Sequence, residues 1–421
     1  MLEKRNPITI AKAVQMVMDY QIEGNIEYIS ISESYGRYLS EDLVATSDVP
    51  HFNRAPYDGF AIRSVDSQKA SQENPVTFEV IDEIGAGMVT NKVIGPFQAV
   101  RIMTGAMMPA GADCVVMLEL VKDLNENGQT YMSIKRSFQK GDNVSFQGED
   151  AKEGEVLVGK GALINPGIQA MLATFGYDKV PVAKKPRVGL FATGTELLEV
   201  SDSLVPGKIR NSNSYMISAQ IERVGAEVIY FGKLADDFDT CFNAIKDSLS
   251  KVDILLTTGG VSVGDYDYLP AIYNKLGAEV LFNKVAMRPG SVTTVAQLNG
   301  KLLFGLSGNP SACYVGFELF VRPIIRRMLF SDHPHLRKEQ AILENDFPKA
   351  NPFMRFVRSY VYVEKGMVKV KPSGLDKSNI VMSLAGANSL MILPGGTRGY
   401  LKGTEVEVLL LDDHIGSEWP W

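Results

Sequence analysis

A chain of 421 residues exceeds what one hydrophobic core organises, so roughly two to four domains are expected. With 45% hydrophobic and 22% charged residues it falls in the globular range, and a net charge of −6 speaks against broad nucleic-acid binding. No apolar run reaches the length of a membrane span, MLEKRNPITI lacks the apolar core of a secretory signal, and the widely spaced Cys114, Cys241 and Cys313 suggest neither a disulfide framework nor a metal site, so a cytoplasmic setting is expected.

In residues 8–22, ITIAKAVQMVMDYQI, Ile10, Val14, Val17 and Met18 share a helical face and Thr9 suits the cap. Residues 33–43 read as a connection. Residues 47–63, SDVPHFNRAPYDGFAIR, are rich in Pro, Gly and Asx and read as a loop. Within it Asp58-Gly59 is either a hairpin turn or a functional carboxylate set among Phe52, Tyr57 and Phe60. Short strands at 78–81, 99–102, 114–117 and 131–134, punctuated by glycines, predict a small β domain. RIMTGAMMPAGAD, 101–113, joins two of them and carries Thr104. SFQGED, 145–150, ends in paired acids that are either a solvated loop or functional. Asn165-Pro166 opens a helix that Gly176 stops, and 181–186 reads as a linker.

An alternation of strands (188–191, 228–231, 254–257, 280–282, 302–306) with helices (215–224, 242–249, 268–275, 311–326) follows. It predicts a doubly wound, mainly parallel sheet with helices on both faces. After residue 338 the pattern turns to β. Residues 355–372 are two alternating runs joined at 364–366, and the tail as a whole predicts a small barrel.

Ligands of such sheets bind beyond the carboxyl ends of the strands, and three strands here end in glycine loops. VDILLTTGGVSVGDYD, 252–267, supplies Gly259, Gly260 and Gly264 for a sharp turn and close backbone approach, with Ser262 as a hydroxyl donor. Its Asp265 and Asp267 would repel a phosphate unless a hard cation such as Mg²⁺ is shared between them. FATGTEL, 191–197, supplies Thr193, Gly194 and Glu196. FGLSGNPSACYV, 304–315, places Ser307, Gly308, Asn309 and Pro310 at a helix start, where N–H groups hold anions. Lys284 and Arg288, in NKVAMRPGSVTT, are candidate oxyanion clamps or a solvated face. Arg355 and Arg358 are read the same two ways. The four histidines lie outside these loops, with His333 and His335 read as surface. Neither a zinc signature nor a Walker A loop is present, so the chemistry expected is positioning and electrostatics on a phosphoanhydride.

Six motifs, TGGVSVGDYD, GLSGNPSA, PYDGFAIR, RIMTGAMMP, FQGED and ATGTEL, together resemble the molybdopterin molybdenumtransferase family, which includes the bacterial MoeA proteins and the gephyrin E domain. The resemblance runs from about residue 8 to 412. It implies an elongated α/β multidomain subunit that forms a homodimer. A split N-terminal domain (1–46 plus 151–182) would surround an inserted β domain (47–150). A molybdopterin-binding α/β domain (183–332) and a C-terminal β-barrel domain (338–412) would follow. The implied activity is insertion of molybdate into adenylylated molybdopterin, with Mg²⁺ and release of AMP. The adenylyltransferase that makes this substrate and downstream molybdoenzymes would be partners, with neither membrane nor nucleic acid involved.

Carried over motif by motif, Asp58, Thr104, Asp150, Glu196, Asp267, Lys284 and Arg288 take the catalytic positions. Thr193, Gly194, Gly259, Gly260, Ser262, Gly264, Ser307, Gly308, Asn309, Pro310 and Ser383 take the pterin-binding ones. Asp236 or Asp237, with Asp267 and Glu196, are the implied metal ligands. By this resemblance Asp58, Thr104 and Asp150 would serve the partner subunit's α/β loops. Ser307 stands where many members have Pro, Ser291-Val292 replaces a more basic or Pro-containing pair, and Phe353 stands where others carry Arg, which makes Arg355 or Arg358 the candidates for that charge. Two other activities fit part of the pattern: a molybdopterin adenylyltransferase using ATP, and a non-catalytic pterin-binding scaffold.

Overall fold

The computed structural model describes residues 6–20, 22–126, 128–234, 237–260, 268–350, 352–412 and 416–421. Of the expected site residues, Asp236, Ser262, Gly264 and Asp267 lie outside them. The chain divides into two compact units. One comprises Met1–Glu41, Gly159–Ala170 and Asp178–Trp421; the other comprises Asp42–Val158 and Met171–Tyr177.

The larger unit is built on a six-stranded sheet in the order Glu227–Lys233, Arg187–Ala192, Ile254–Thr258, Lys301–Leu306, Thr294–Leu298, Glu279–Phe282. The first four strands are parallel. Their sequences are apolar at both parities because both faces are covered. Val188, Leu190, Ile254, Leu256, Leu302 and Phe304 pack into one core with helices Asn213–Val224 and Ile10–Met18. The alternate Phe191, Leu255 and Leu303 pack into a second with helices Phe238–Ser248 and Leu269–Leu276. From Arg187–Ala192 the chain crosses to the edge strand on one side and then returns to Ile254–Thr258 on the other. Such a reversal of winding is the point at which sheets of this kind bind their ligands.

The sheet is mainly parallel, as expected, and mixed only through strand Thr294–Leu298, which the sequence reading missed. It forms a hairpin with Lys301–Leu306 through Asn299-Gly300, both at positive φ (48° and 81°). Thr9 caps the first helix as expected, accepting from Lys12 N at 3.3 Å. Helix Pro166–Thr174 starts at the predicted pair, with Asn165 Oδ1 accepting from Ile168 N at 2.9 Å. The first half of the expected linker at 181–186 is instead strand: Lys179–Ala183 pairs antiparallel with Ile26–Ser30 and buries Val180 and Val182, and 184–186 connect it to Arg187–Ala192. A two-stranded sheet tolerates Pro181 because its missing donor is not needed by an inner neighbour.

Five strands of the same unit close a barrel: Met354–Glu364, Met367–Pro372, Lys338–Leu343, Glu405–Leu410 and Ser389–Leu393, the last pairing back to the first. The 355–372 hairpin is as predicted, turning at Lys365-Gly366. Strand Met287–Arg288 adds to the barrel edge, with Arg288 in register with Arg355. His335 is not a surface residue. It is 4% exposed, its N–H and C=O both pair with Ser417, and its ring meets Trp419 edge-on at 5.5 Å. Burial pulls its pKa down to about 4.

The smaller unit is a six-stranded sheet in the order Cys114–Met117, Gly59–Ile62, Gln98–Ile102, Val76–Ile84, Gln129–Ile134, Val121–Glu126. Asp58-Gly59 is therefore no hairpin turn. Gly59 opens an inner strand, and a side chain there would run into the carbonyl of Val116.

Candidate functional site

The described parts of the three glycine loops, which for the second end at Gly260, meet at one end of the parallel sheet. They follow the neighbouring strands Arg187–Ala192, Ile254–Thr258 and Lys301–Leu306. Main-chain bonds carry the ladder past the strand ends: Thr193 N donates to Thr258 O (3.0 Å), and Gly259 N to Leu306 O (2.8 Å). Thr193 Oγ1 donates to the same Thr258 carbonyl at 3.1 Å. A Cβ at Gly259 would lie 2.6 Å from Thr193 Oγ1 and 2.8 Å from Thr193 O, and one at Gly308 would lie 3.6 Å from Gly259 Cα. The close approach and the positive φ of Gly259 and Gly260 (91° and 67°) both require glycine. Asn213, opening helix Asn213–Val224, donates Nδ2 to Gly308 O at 2.8 Å and fixes the third loop. Exposed Glu196 folds its carboxylate back over Gly194, where a Cβ would lie 2.5 Å from Oε2.

Beside the third loop, and continuous with Ser307, Asn309 and Ala312, is a cleft of about 520 Å³. Residues 288–292 form one wall, and Arg355 with 376–379 of the barrel form another. Ser311 ties the barrel loop to helix Pro310–Gly316, N donating to Ser378 O (3.0 Å) and Oγ to Ile380 O (2.7 Å). Arg288 and Arg355 both face this cleft. Lys284 is half-buried on the segment leading to Arg288, with its carbonyl accepting from Ile8 N at 3.1 Å, and does not line the cleft.

Arg358 does not lie on a solvated strand face. It is 1% exposed, donating to Asp376 Oδ1 at 3.0 Å and to Ser383 Oγ at 3.4 Å. Burial lowers its pKa, opposed by the adjacent carboxylate. Ser383 is 2% exposed and belongs to this buried network rather than to the cleft lining. Sequence reasoning did not single out Asp376 or Asn213. The only local signal for the former is a charged pair inside the Gly- and Ser-containing stretch PSGLDKSN.

Asp237 caps helix Phe238–Ser248, its Oδ2 accepting from Thr240 Oγ1 (2.6 Å) and N (2.8 Å), bonds that lower its pKa. Among the described residues no group of three or more His, Cys, Asp or Glu side chains is placed to hold a metal.

In the smaller unit, Thr104 N and Oγ1 both donate to Asp58 Oδ1 at 2.7 Å. Those bonds favour the ionised carboxylate and lower its pKa, the backbone bond most. The three motif segments of this unit are knit through 49–55. Met108 N donates to Asn53 O (2.8 Å), Ser145 N to Arg54 O (2.9 Å) and Asp150 N to Val49 O (3.0 Å). Asp150 itself is exposed.

Three family models match the chain in succession: MoeA N-terminal region (domain I and II) over residues 8–176, "Probable molybdopterin binding domain" over 189–327, and MoeA C-terminal region (domain IV) over 340–411. The molybdopterin molybdenumtransferase of Bacillus subtilis is 60% identical over all of this chain and 98% of its own, and that of Staphylococcus aureus (strain COL) is 50% identical over 99% of each. The crystal structure of a molybdopterin biosynthesis MoeA protein from Pyrococcus horikoshii superposes with a TM-score of 0.84 at 30% identity, covering 96% of this chain and 99% of that one. A second such structure gives 0.80 at 31%, covering 96% and 100%.

Proposed function

Because the chain belongs to the molybdopterin molybdenumtransferase family, an enzyme family of molybdenum cofactor biosynthesis, we propose that its three glycine loops and the adjoining arginine-lined cleft are where molybdate enters adenylylated molybdopterin and AMP is released. The observation that carries this is the convergence of Thr193, Gly259 and Gly308 within contact distance at the switch point of the sheet. Backbone N–H groups of turns that only glycine can form approach phosphate closely. Arg288 and Arg355, opposite each other on paired strands, offer charge-assisted bonds to a doubly charged tetrahedral oxyanion. The two dithiolene thiols of the pterin bond to molybdenum as one oxo group of molybdate leaves as water with both thiol protons, with no change of oxidation state, and water added across the phosphoanhydride leaves AMP and the pterin phosphate. The protein contributes position and charge.

Mg²⁺ fits one part of this arrangement and not another. The exposed Glu196 carboxylate over Gly194 is suited to share a cation with phosphate oxygens, together with the expected Asp267, whereas Asp237 spends Oδ2 on its helix cap. When bound, the ion would neutralise charge on the phosphoanhydride. Lys284 would strengthen the positive field that draws in molybdate. Asp58, held ionised by Thr104, and Asp150 are assigned to the same reaction, and the protein to a cytoplasmic homodimer of four domains that receives its substrate from an adenylyltransferase and feeds molybdoenzymes. No described helix is long and apolar enough to cross a membrane.

The ATP-using alternative is not favoured, because identity to molybdenumtransferases extends over the full chain, including the N-terminal region and the barrel. The deciding experiment supplies adenylylated molybdopterin with and without molybdate and Mg²⁺. AMP release that depends on both supports the reading. ATP consumption without molybdate, or pterin binding that never leads to metal insertion, refutes it.

A further inference from the structure

The barrel wall of the cleft is organised around one carboxylate. Asp376 follows strand Met367–Pro372, and its side chain is 5% exposed. Three cations close on it. Oδ2 accepts from Arg355 Nη1 at 2.5 Å and lies 3.7 Å from Lys349 Nζ, while Oδ1 accepts from Arg358 Nη1 at 3.0 Å. Lys349 Nζ also donates to the carbonyl of Asp376 at 2.6 Å. Arg358 turns inward, its Nη2 reaching the carbonyls of Leu375 (3.3 Å) and Lys377 (3.2 Å), so it clamps the loop on both sides of Asp376. Arg355 lines the cleft in register with Arg288, with its guanidinium carbon 5.9 Å from the centre of the Phe347 ring.

The geometry points to Asp376 as a positioning residue for the oxyanion: it acts through Arg355, holding that guanidinium at the cleft wall opposite Arg288 so that molybdate meets two arginines already in place. This rests on the reading of the cleft given above. An arginine side chain has many rotamers, and a binding site that must first order one loses affinity by that amount. A guanidinium already fixed by a carboxylate on one side and an aromatic ring on another has lost that freedom before the anion arrives. A carboxylate at an anion site would ordinarily repel its ligand. Here one negative charge is shared among three positive ones, and buried Arg358 is bonded to the oxygen that Arg355 does not use, so the cluster stays net positive.

The test is a double-mutant cycle on the intact enzyme: wild type, Asp376→Asn, Arg355→Ala and the pair. The Michaelis constants for molybdate and for the adenylylated pterin are measured separately. Each single substitution is expected to raise the molybdate constant about tenfold, and the pair to be no worse than Arg355→Ala alone, with the pterin constant within about twofold of wild type. Asp376→Glu, which keeps the charge, is expected to recover part of the loss, and it carries the comparison if Asp376→Asn does not fold. An additive pair, about a hundredfold, would give Asp376 a role independent of Arg355 and overturn the inference. An unchanged molybdate constant in Asp376→Asn would do the same. Arg288→Ala separates the two levels. If it raises the molybdate constant while Asp376→Asn does not, only the positioning role fails; if Arg288→Ala also leaves it unchanged, the cleft reading itself fails.

Discussion

Gly259→Ala tests whether the convergence of the loops is what makes the site. Gly259 has φ 91°, and an added Cβ would sit 2.6 Å from Thr193 Oγ1 and 2.8 Å from Thr193 O. The dihedral alone costs about 1–2 kcal/mol for a residue with a side chain. The hydroxyl can rotate away, but the carbonyl is backbone, fixed by the ladder bond of Thr193 N to Thr258 O. Forcing such a contact apart adds about 1–3 kcal/mol, for a total of about 2–5 kcal/mol. Gly300→Ala is the control, since Gly300 has φ 81° and nothing within 4 Å of its would-be Cβ, so it carries the dihedral cost without the collision. Both tryptophans, Trp419 and Trp421, belong to the larger unit, so intrinsic fluorescence during urea unfolding follows that unit. Gly259→Ala should unfold at clearly lower urea than Gly300→Ala. Its kcat/KM for the adenylylated pterin should fall ~10–100-fold, because the loops must part by a sizeable fraction of an ångström. If the two variants are equally stable and Gly259→Ala turns over within about twofold of wild type, tight packing of the loops is not what the reaction needs.

Thr104→Val removes one of the two bonds that hold Asp58 ionised, so the Asp58 carboxyl should titrate at higher pH, read by carbon NMR of a labelled protein, and the acid limb of the pH–rate profile should move up with it. Glu318 has 0% side-chain exposure and is bound by Arg223, by Gln220 Nε2 at 2.6 Å and by Arg322 at 3.7 Å, so Glu318→Gln should cost about 3–5 kcal/mol in denaturant. His335, with a folded pKa of about 4 against an ordinary 6.5, binds its proton more weakly folded than unfolded. Its contribution is complete above pH 6.5 and is lost as pH falls toward 4, by at most about 3 kcal/mol. His335→Phe should flatten stability across that window, and an unchanged slope would refute the assignment.

The elements that the sequence announces are those whose physics is local. Ile254–Thr258, an apolar run ending in two threonines, is buried at every position because both faces are covered, and the barrel hairpin is legible from its two runs and the Lys365-Gly366 turn between them. Strand Thr294–Leu298 carries an equally local signal, the Asn299-Gly300 turn, but it follows a basic stretch that reads as part of a binding loop. Arg358 and His335 are different in kind. An arginine in an alternating strand reads as solvent-facing, and what reverses that is Asp376 on the next loop and Ser383 beyond it. His335 is buried by a tail some eighty residues later, a pairing that no window around it contains.

The same distinction bears on the site. The glycine loops are legible because the required φ and close approach exclude other residues, so the constraint is written at the position itself. The arginine wall is not, because a positive charge can be supplied from more than one position. The resemblance directs attention to 353, where this chain has Phe, and Arg355 lies two residues further along. Phe353 lies in a bend ahead of strand Met354–Glu364, so strand alternation does not relate the two positions, and only the contacts of Arg355 place its charge. What fixes such a displaced charge is its counter-ion, and Asp376 lies close to both Arg355 and Arg358 while only Arg355 lines the cleft. Motif matching therefore locates the loops of this site, whereas assigning its cations depends on which carboxylate holds each one.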